Sequence, residues 1–315
     1  MHGLGEEPAV SRPTSNARRS IQRWCLGCAA GALLLAVVFV LNGTGRGWQA
    51  PECGRSIAVE TSRPIPTVRV MALNAAKCSF YEGGLRFASA EQVRHRLMEI
   101  ASVIMREDVD IACLSEVVME AGPWSVNQVE TLAGLSNMPY WATGENYSFG
   151  IPVLRIRSGN GIISRFPLRG TEVVQLPGGR PFWNPTNNRR LLLCGTTING
   201  KDLLIGSVRN DSFRPDNNLE QVHAMLERVR GQATLLAGDF NAVPESASMR
   251  AVASAGMFEH ASFGTPTFPS SAPQREIDYV FAPLGWKLVD HRVVDVRVSD
   301  HLAVIASFEL GPSWR

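Results

Sequence analysis

An α+β domain, two packed sheets covered by helices, is predicted from three observations. From Val68 onward, many short apolar strand-like runs alternate with only a few amphipathic helical stretches. Turn residues separate the runs, as Asn199-Gly200 does between two of them. Several runs end abruptly in a carboxylate, an amide or a histidine.

The elements follow in order. Val68 to Leu73 reads as a strand that delivers Asn74 to its end. Ala90 to Arg106 carries Val93, Leu97, Ile100 and Ile104 at helical spacing, with Glu91 near its start and Arg106 at its end to suit the helix dipole. Asp110 to Val117 is a short apolar strand containing Glu116, and Asn127 to Leu135 is a second helix. Strands then dominate: Pro152 to Ile156, Gly161 to Ile163, Thr171 to Leu176, Arg190 to Ile198 and Leu203 to Val208. Leu219 to Val229 places Leu219, Val222, Leu226 and Val229 on one helical face. Ala233 to Ala237 leads into Asp239, and Asp278 to Ala282, Lys287 to Val296 and Leu302 to Phe308 complete the set. Tyr140, Trp141, Phe182 and Trp183 fall in predicted loops.

The chain has 315 residues, 45% hydrophobic and 19% charged, which excludes a largely disordered protein. Its net charge of +2 is uneven: the first fifty residues hold five arginines and two glutamates. The remainder is close to neutral, so no whole-surface attraction for a polyanion is expected. A local basic patch at Arg189 and Arg190 is the exception. Of the six cysteines, Cys113 and Cys194 sit in strands as buried thiols, and a Cys53–Cys78 disulfide is compatible with an oxidising compartment.

The N-terminus reads as an address. Residues 1–23 form a basic region, with ARRSIQR similar to a twin-arginine export signal. Residues 24–42 include CLGCAAGALLLAVVFVL, seventeen residues without a charge, a signal peptide or short membrane anchor. The charge bias places the N-terminus in the cytoplasm and the rest across the membrane, periplasmic or extracellular. Cleavage after WQA and retention as a tether both stay open. Residues 43–66 read as a linker and residues 67–315 as the catalytic domain.

Asn74, Glu116, Asp239, Asn241 and Asp300 lie at abrupt ends of apolar runs, and His301 follows directly. Side chains so placed can converge at one rim of a sheet. Hard cations such as Mg²⁺ need oxygen ligands of this kind. A phosphoester needs its developing charge neutralised and a water activated. In GDFN, Asp239 and Asn241 are two apart and can point the same way from extended backbone. In VSDHLAV, Asp300 offers a carboxylate and His301 an imidazole, whose other nitrogen Asp278 of REIDYVFA can hold protonated.

With these pieces in order (VRVMALNA, DIACLSEV, GNGIISRFPL, GDFNAVP, REIDYVFA, VSDHLAV), the chain resembles the endonuclease/exonuclease/phosphatase superfamily from Val68 to Leu310. That group includes deoxyribonuclease I-like nucleases, neutral sphingomyelinases and inositol-polyphosphate phosphatases. The resemblance implies a four-layer αββα sandwich, two mixed sheets flanked by helices, with a divalent-metal site at one edge. It implies metal binding by Glu116, Asn74 and Asp300, with Mg²⁺ expected and Mn²⁺ or Ca²⁺ as alternatives. Asp239 orients or deprotonates water, Asn241 helps bind phosphate, and Asp278 with His301 forms an acid–imidazole pair. Asn160 in GNGIIS matches a family position close to the site. One departure stands out: where many members carry a histidine at a central strand end, this chain reads LLIGSVRND. Arg209 is the nearest substitute, able to grip phosphate but not to act as an acid or base. Asn210 and Asp211 are expected to compensate at the substrate. The expected partner is a phosphoester of nucleic acid or a phospholipid headgroup, and the protein is expected to be a monomer. The leading reading is a phosphodiesterase or nuclease. The alternatives are an exported lipid phosphodiesterase of sphingomyelinase type, a phosphoinositide phosphatase, or a non-catalytic binding module that keeps the fold.

Overall fold

A computed structural model describes residues 15–43, 51–55, 65–79, 81–83, 86–122, 127–151, 154–178, 188–259 and 264–314. The chain begins with helix α1 (Ser15–Gly43) and strands β1 (Glu52–Arg55) and β2 (Thr67–Asn74). A small hairpin, β3 (Tyr81–Gly83) and β4 (Arg86–Phe87), precedes α2 (Ala90–Arg106), β5 (Ile111–Ala121) and α3 (Gln128–Leu135). Then come β6 (Tyr140–Ile151), β7 (Leu154–Ser164), β8 (Arg169–Gln175), β9 (Arg190–Ile198) and β10 (Lys201–Arg209). The C-terminal part holds α4 (Pro215–Val229), β11 (Thr234–Asp239), α5 (Ala247–Ser254), β12 (Asp278–Phe281), β13 (Trp286–Val294) and β14 (Ala303–Leu310).

Two large sheets result, ordered β1-β6-β7-β5-β2-β14-β13 and β12-β11-β10-β9-β8. The period-two alternation of each strand decides the layering. Along β2, Val68, Val70 and Ala72 face the second sheet, where they meet Leu192, Ile205, Leu235 and Val280. Met71 and Leu73 face outward onto Val93, Leu97 and Ile100 of α2 and Val129 and Leu132 of α3. The five-stranded sheet turns Leu191, Leu236 and Tyr279 outward onto Val222 and Met225 of α4 and Met249 of α5. The order is therefore helix, sheet, sheet, helix, the four-layer αββα sandwich.

Helix α2 has the residues its apolar spacing predicts. Its start is held by a capping box, in which Ser89 Oγ accepts from Gln92 N at 3.2 Å and Gln92 Oε1 accepts from Ser89 N at 2.8 Å. The Asn199-Gly200 turn has φ of 48° and 77°, as a tight hairpin requires.

Several expectations need correction. The segment read as a linker carries β1, paired antiparallel with the edge of β6. Gly54 makes that approach: a Cβ there would lie 2.5 Å from the Trp141 ring. Tyr140 and Trp141 are not in a loop but open β6. The stretches around Ile156 and Gly161–Ile163 are one strand, β7, because both halves pair with β6. Cys53 is exposed, Cys78 buried, and both are free thiols, so they form no disulfide. The Asn127 helix starts one residue later, with Asn127 as its cap. Residues 44–50, with the WQA sequence, and Phe182 and Trp183 lie outside the described residues. In α1, Arg19–Phe39 has no buried residue and is long and apolar enough to cross a membrane.

Candidate active site

Two parallel pairs position the site. β2 runs beside β5, with α2 between them in sequence, and β10 runs beside β11, with α4 between them. The carboxyl ends of such strands share one rim, where loops can gather polar groups. Asn74 ends β2 and Asp239 ends β11. Asp239 pairs across to Asp278, the first residue of β12. Val304 pairs with Ala72, so the residues just before β14, including His301, lie beside Asn74.

Local backbone geometry finishes the placement. β5 is irregular between Leu114 and Val117, and Glu116 there has φ 52°. A bulge of this kind re-aims a side chain that regular alternation would send elsewhere. Gly238 has φ 142°, and a Cβ there would lie 2.2 Å from Val208 O, so only glycine lets β11 close on β10. Asn241, at φ 49°, turns back to give its N–H to Asp239 Oδ1 at 2.9 Å.

Asn74 is the hub. Its Nδ2 donates to Glu116 Oε1 at 3.1 Å and Asp239 Oδ2 at 3.0 Å, and lies 3.3 Å from His301 Nε2. Its two hydrogens satisfy the two carboxylates, which leaves Nε2 available. Its Oδ1 accepts from Ala76 N at 3.0 Å and so faces away from the acids. Asn241 Nδ2 donates to Asp239 Oδ2 and to Asn210 O, both at 3.0 Å. Glu116 pairs with both Lys77 and Arg209. Arg209 Nε is 3.9 Å from Asp239 Oδ2. Asp278 Oδ2 lies 2.9 Å from His301 Nδ1 and accepts from Thr267 Oγ1 at 2.6 Å.

Electrostatics separate the acids. Burial would raise Glu116, but Arg209 and Lys77 outweigh it and hold the carboxyl at about 2. Burial and then the Asp278 charge push Asp239 above the usual carboxylate range, against the pull of His301 and Arg209. Burial would lower His301, but its bond to Asp278 and that carboxylate's charge carry it to about 9, helped by Asp239 and Asp300. The imidazolium's contribution to stability is therefore complete below about pH 6.5 and is lost as pH rises through about 9. Asp278→Asn is expected to return His301 to 6.5 or below, because burial then dominates. An imidazole NMR titration reads this; a variant still titrating near 9 removes Asp278 as the cause.

The other sequence candidates are placed differently. Asn160 is buried, and its Nδ2 donates to Arg190 O at 2.8 Å and Ser207 O at 3.1 Å. It ties the two sheets together beneath the site. Asn210 contributes backbone: its N–H reaches Asp239 O at 3.0 Å, and its carbonyl accepts from Asn241 and Arg189. Asp211 accepts from Phe213 N, Arg214 N and Asn217 Nδ2, organising the entry to α4. Asp300 is exposed, near His301 but outside the Asp239–Asp278–His301 group. Arg190 turns away to Glu145 O.

Three residues escape the sequence reading as site residues. Lys77 is delivered by a turn, Ala76–Ser79, whose four non-glycine residues all have positive φ. Arg96 donates to Cys78 O and Ser79 O, and Gln128 to Lys77 O, holding that turn. Arg189 is buried, gives its Nε to Asn210 O at 3.1 Å, and is lowered to about 10 by burial and by Arg209. Ser299 links Asn74 O to His301 N. No glycine marks the Lys77 turn; the Arg189-Arg190 pair is the signal that pointed to Arg189 without giving its direction.

The donor set fits a hard dication. Asp239, Asp278 and His301 present ligand atoms all within 4.8 Å of one another, and Asp278 Oδ1 is buried with no hydrogen-bond partner. Glu116 lies at the same rim, where Lys77 and Arg209 compensate its charge.

The Endonuclease/Exonuclease/phosphatase family model matches residues 71–301. No curated protein matches the sequence. An endonuclease/exonuclease/phosphatase from Beutenbergia cavernae DSM 12333 is similar in structure, with TM-score 0.60, 24% identity, and coverage of 78% of this chain and 72% of that one. A family protein from Leptotrichia buccalis C-1013-b gives TM-score 0.59 and 16% identity over 77% of this chain and all of its own length, 100%. A humanized D. rerio TDP2 gives TM-score 0.56 and 14% identity, covering 78% of this chain and 100% of that one. At these identities the likenesses describe the fold.

Proposed function

Since the chain belongs to the endonuclease/exonuclease/phosphatase family, a family of phosphoesterases, we propose that it is a divalent-metal-dependent phosphodiesterase in which water attacks phosphorus. The observation that carries this is the single amide of Asn74, within 3.3 Å of Glu116, Asp239 and His301 at once. Those three come from widely separated parts of the chain and share no structural task that would require them at one point.

Each residue has a role its environment supports. Asp239, raised by burial and Asp278 and steered by Asn241, accepts the proton of the attacking water. His301, held protonated by Asp278, donates from Nε2 to a phosphoryl oxygen. Arg209 and Arg189 supply guanidinium groups where the family's histidine is absent. Glu116 would hold Mg²⁺ at this rim, and the ion would supply Lewis-acid stabilisation of the charge that develops on phosphorus. Asn74 as oriented acts as a donor; to ligate a cation its amide would turn over and give up the bond from Ala76 N.

Hydrolysis of a panel of phosphodiesters and phosphomonoesters with Mg²⁺, and with EDTA, tests the reading. Turnover is expected with diesters and Mg²⁺ and is expected to vanish with EDTA; a chain that neither binds metal nor turns over is a binding module instead. Arg209→Ala should lower kcat/KM by roughly 10- to 100-fold, the loss of a charge-assisted phosphate contact. Unchanged kinetics would take Arg209 out of the site.

A further inference from the structure

The strand register fixes the direction in which the chain enters the domain at β1. Glu52 pairs with Thr143, Thr143 with Gly161, Gly161 with Leu114, and Leu114 with Leu73. One row therefore crosses five strands, and it lies one residue short of Asn74 and two short of Glu116. β1 runs antiparallel to β6, from Glu52 opposite Thr143 to Arg55 opposite Tyr140. The chain enters β1 at the catalytic end of the sandwich and runs away from it.

Attachment there is firm. Glu52 pairs with Arg157 at 3.2 Å, Arg157 in turn with the buried Glu145 at 2.9 Å, and the Arg55 guanidinium lies 5.6 Å from the centre of the Tyr140 ring. Between Gly43, the end of α1, and Glu52 there are eight residues. They span at most about 30 Å. Among the described residues, helix α1 is exposed from Arg19 through Val37 and meets the domain at β6. A bilayer is the occupant that such a helix fits.

A second feature points the same way. Past the common row, β6 continues from Thr143 to Ile151 before β7 returns from Leu154. That extension amounts to about 26 Å at full strand rise. The sequence from Phe149 to Leu154 reads FGIPVL, without a charge. The opposite end of the sandwich is different: it carries the Asn199-Gly200 turn and the exposed Lys201 and Asp202.

We propose that α1 is retained as a membrane anchor and that the catalytic rim is turned toward the same bilayer, so that the substrate is a phosphodiester carried by a membrane lipid. The proposal rests on the phosphodiesterase reading above and adds to it the substrate's location and class. Eight residues spanning at most about 30 Å keep the start of β1, and with it the rim side of the sandwich, close to the bilayer.

The test uses the full chain reconstituted in phosphatidylcholine vesicles containing a minor fraction of sphingomyelin or a phosphoinositide, with bis(p-nitrophenyl) phosphate as soluble substrate. A twenty-residue Gly/Ser insertion after Gly43 lowers the tethered domain's effective concentration at the surface by about six-fold, from the −3/2 power of linker length. Vesicle turnover is expected to fall by that factor while soluble turnover holds. A fluorescent side chain introduced at residue 151 is expected to be quenched by brominated lipid, and one at residue 201 is not. Equal vesicle turnover with and without the insertion, stronger quenching at 201, or loss of residues 1–50 from the mature membrane-associated protein overturns the proposal alone, provided the soluble diester is still cleaved. Hydrolysis of neither substrate overturns the phosphodiesterase reading as well.

Discussion

Asp239→Asn protein is expected to fold normally and to lose roughly 10²- to 10⁴-fold in kcat, the range set by removal of a general base. The amide keeps the volume of the acid, and its oxygen still accepts from Asn241 N, the 2.9 Å bond that shapes the GDFN turn. Its nitrogen now faces the Asn74 and Asn241 amides across the present 3.0 Å contacts, donor against donor. That costs up to about 1–3 kcal/mol. Loss of the repulsion between Asp239 and Asp278 offsets part of it. Circular dichroism should therefore match the parent, and the melting temperature should stay within several degrees. Turnover within a few-fold of the parent, at saturating Mg²⁺, would exclude Asp239 as the proton acceptor.

Legibility in the sequence followed local physics. Helix α2 was readable to its last residue because its apolar spacing and its end charges agree. GDFN was readable because the glycine is forced by the 2.2 Å approach of Val208 O and because asparagine tolerates positive φ. Asn74 and Asp239 at the ends of β2 and β11 and the His301 position were readable because a strand ending in a polar residue leaves few places for it to go. What stayed hidden depends on long-range register or unusual backbone. The bulge that turns Glu116 inward has no composition of its own. The Ala76–Ser79 turn adopts a glycine-type conformation without glycine, held by Arg96 and Gln128 from other elements, so Lys77 gave no signal. β1 is four residues long and exists as a strand only because β6 offers it an edge. Asn160 was read toward the site because GNGIIS matches a family position close to it. Its amide hydrogens are instead spent on the backbone of the other sheet.

Glu116→Gln is the second large effect, and it reads on stability as well as on activity. Glu116 is the acid shared by Lys77 and Arg209, with the buried Arg189 cation close enough to feel its charge. Neutralising it leaves buried positive charge without compensation, which typically costs about 3–5 kcal/mol. Lys77 is partly solvated, so the lower end applies. The carboxyl's fall from 4.5 to about 2 agrees, since a drop of that size is worth about 3 kcal/mol. For a chain of this size that amounts to roughly 6–12 °C in Tm. The sign with pH follows: a depressed carboxyl stabilises the fold above about pH 4.5, and that contribution is lost as pH falls through about 2. The parent should therefore lose stability over that acid window more steeply than the variant, so the two melting curves converge toward low pH. The variant should also show a weaker rise in Tm on adding Mg²⁺, a readout that does not depend on turnover. A Glu116→Gln protein with parental Tm at pH 7, the parental acid slope and an undiminished Mg²⁺ response would mean that the two cations, and any dication, do not depend on this acid.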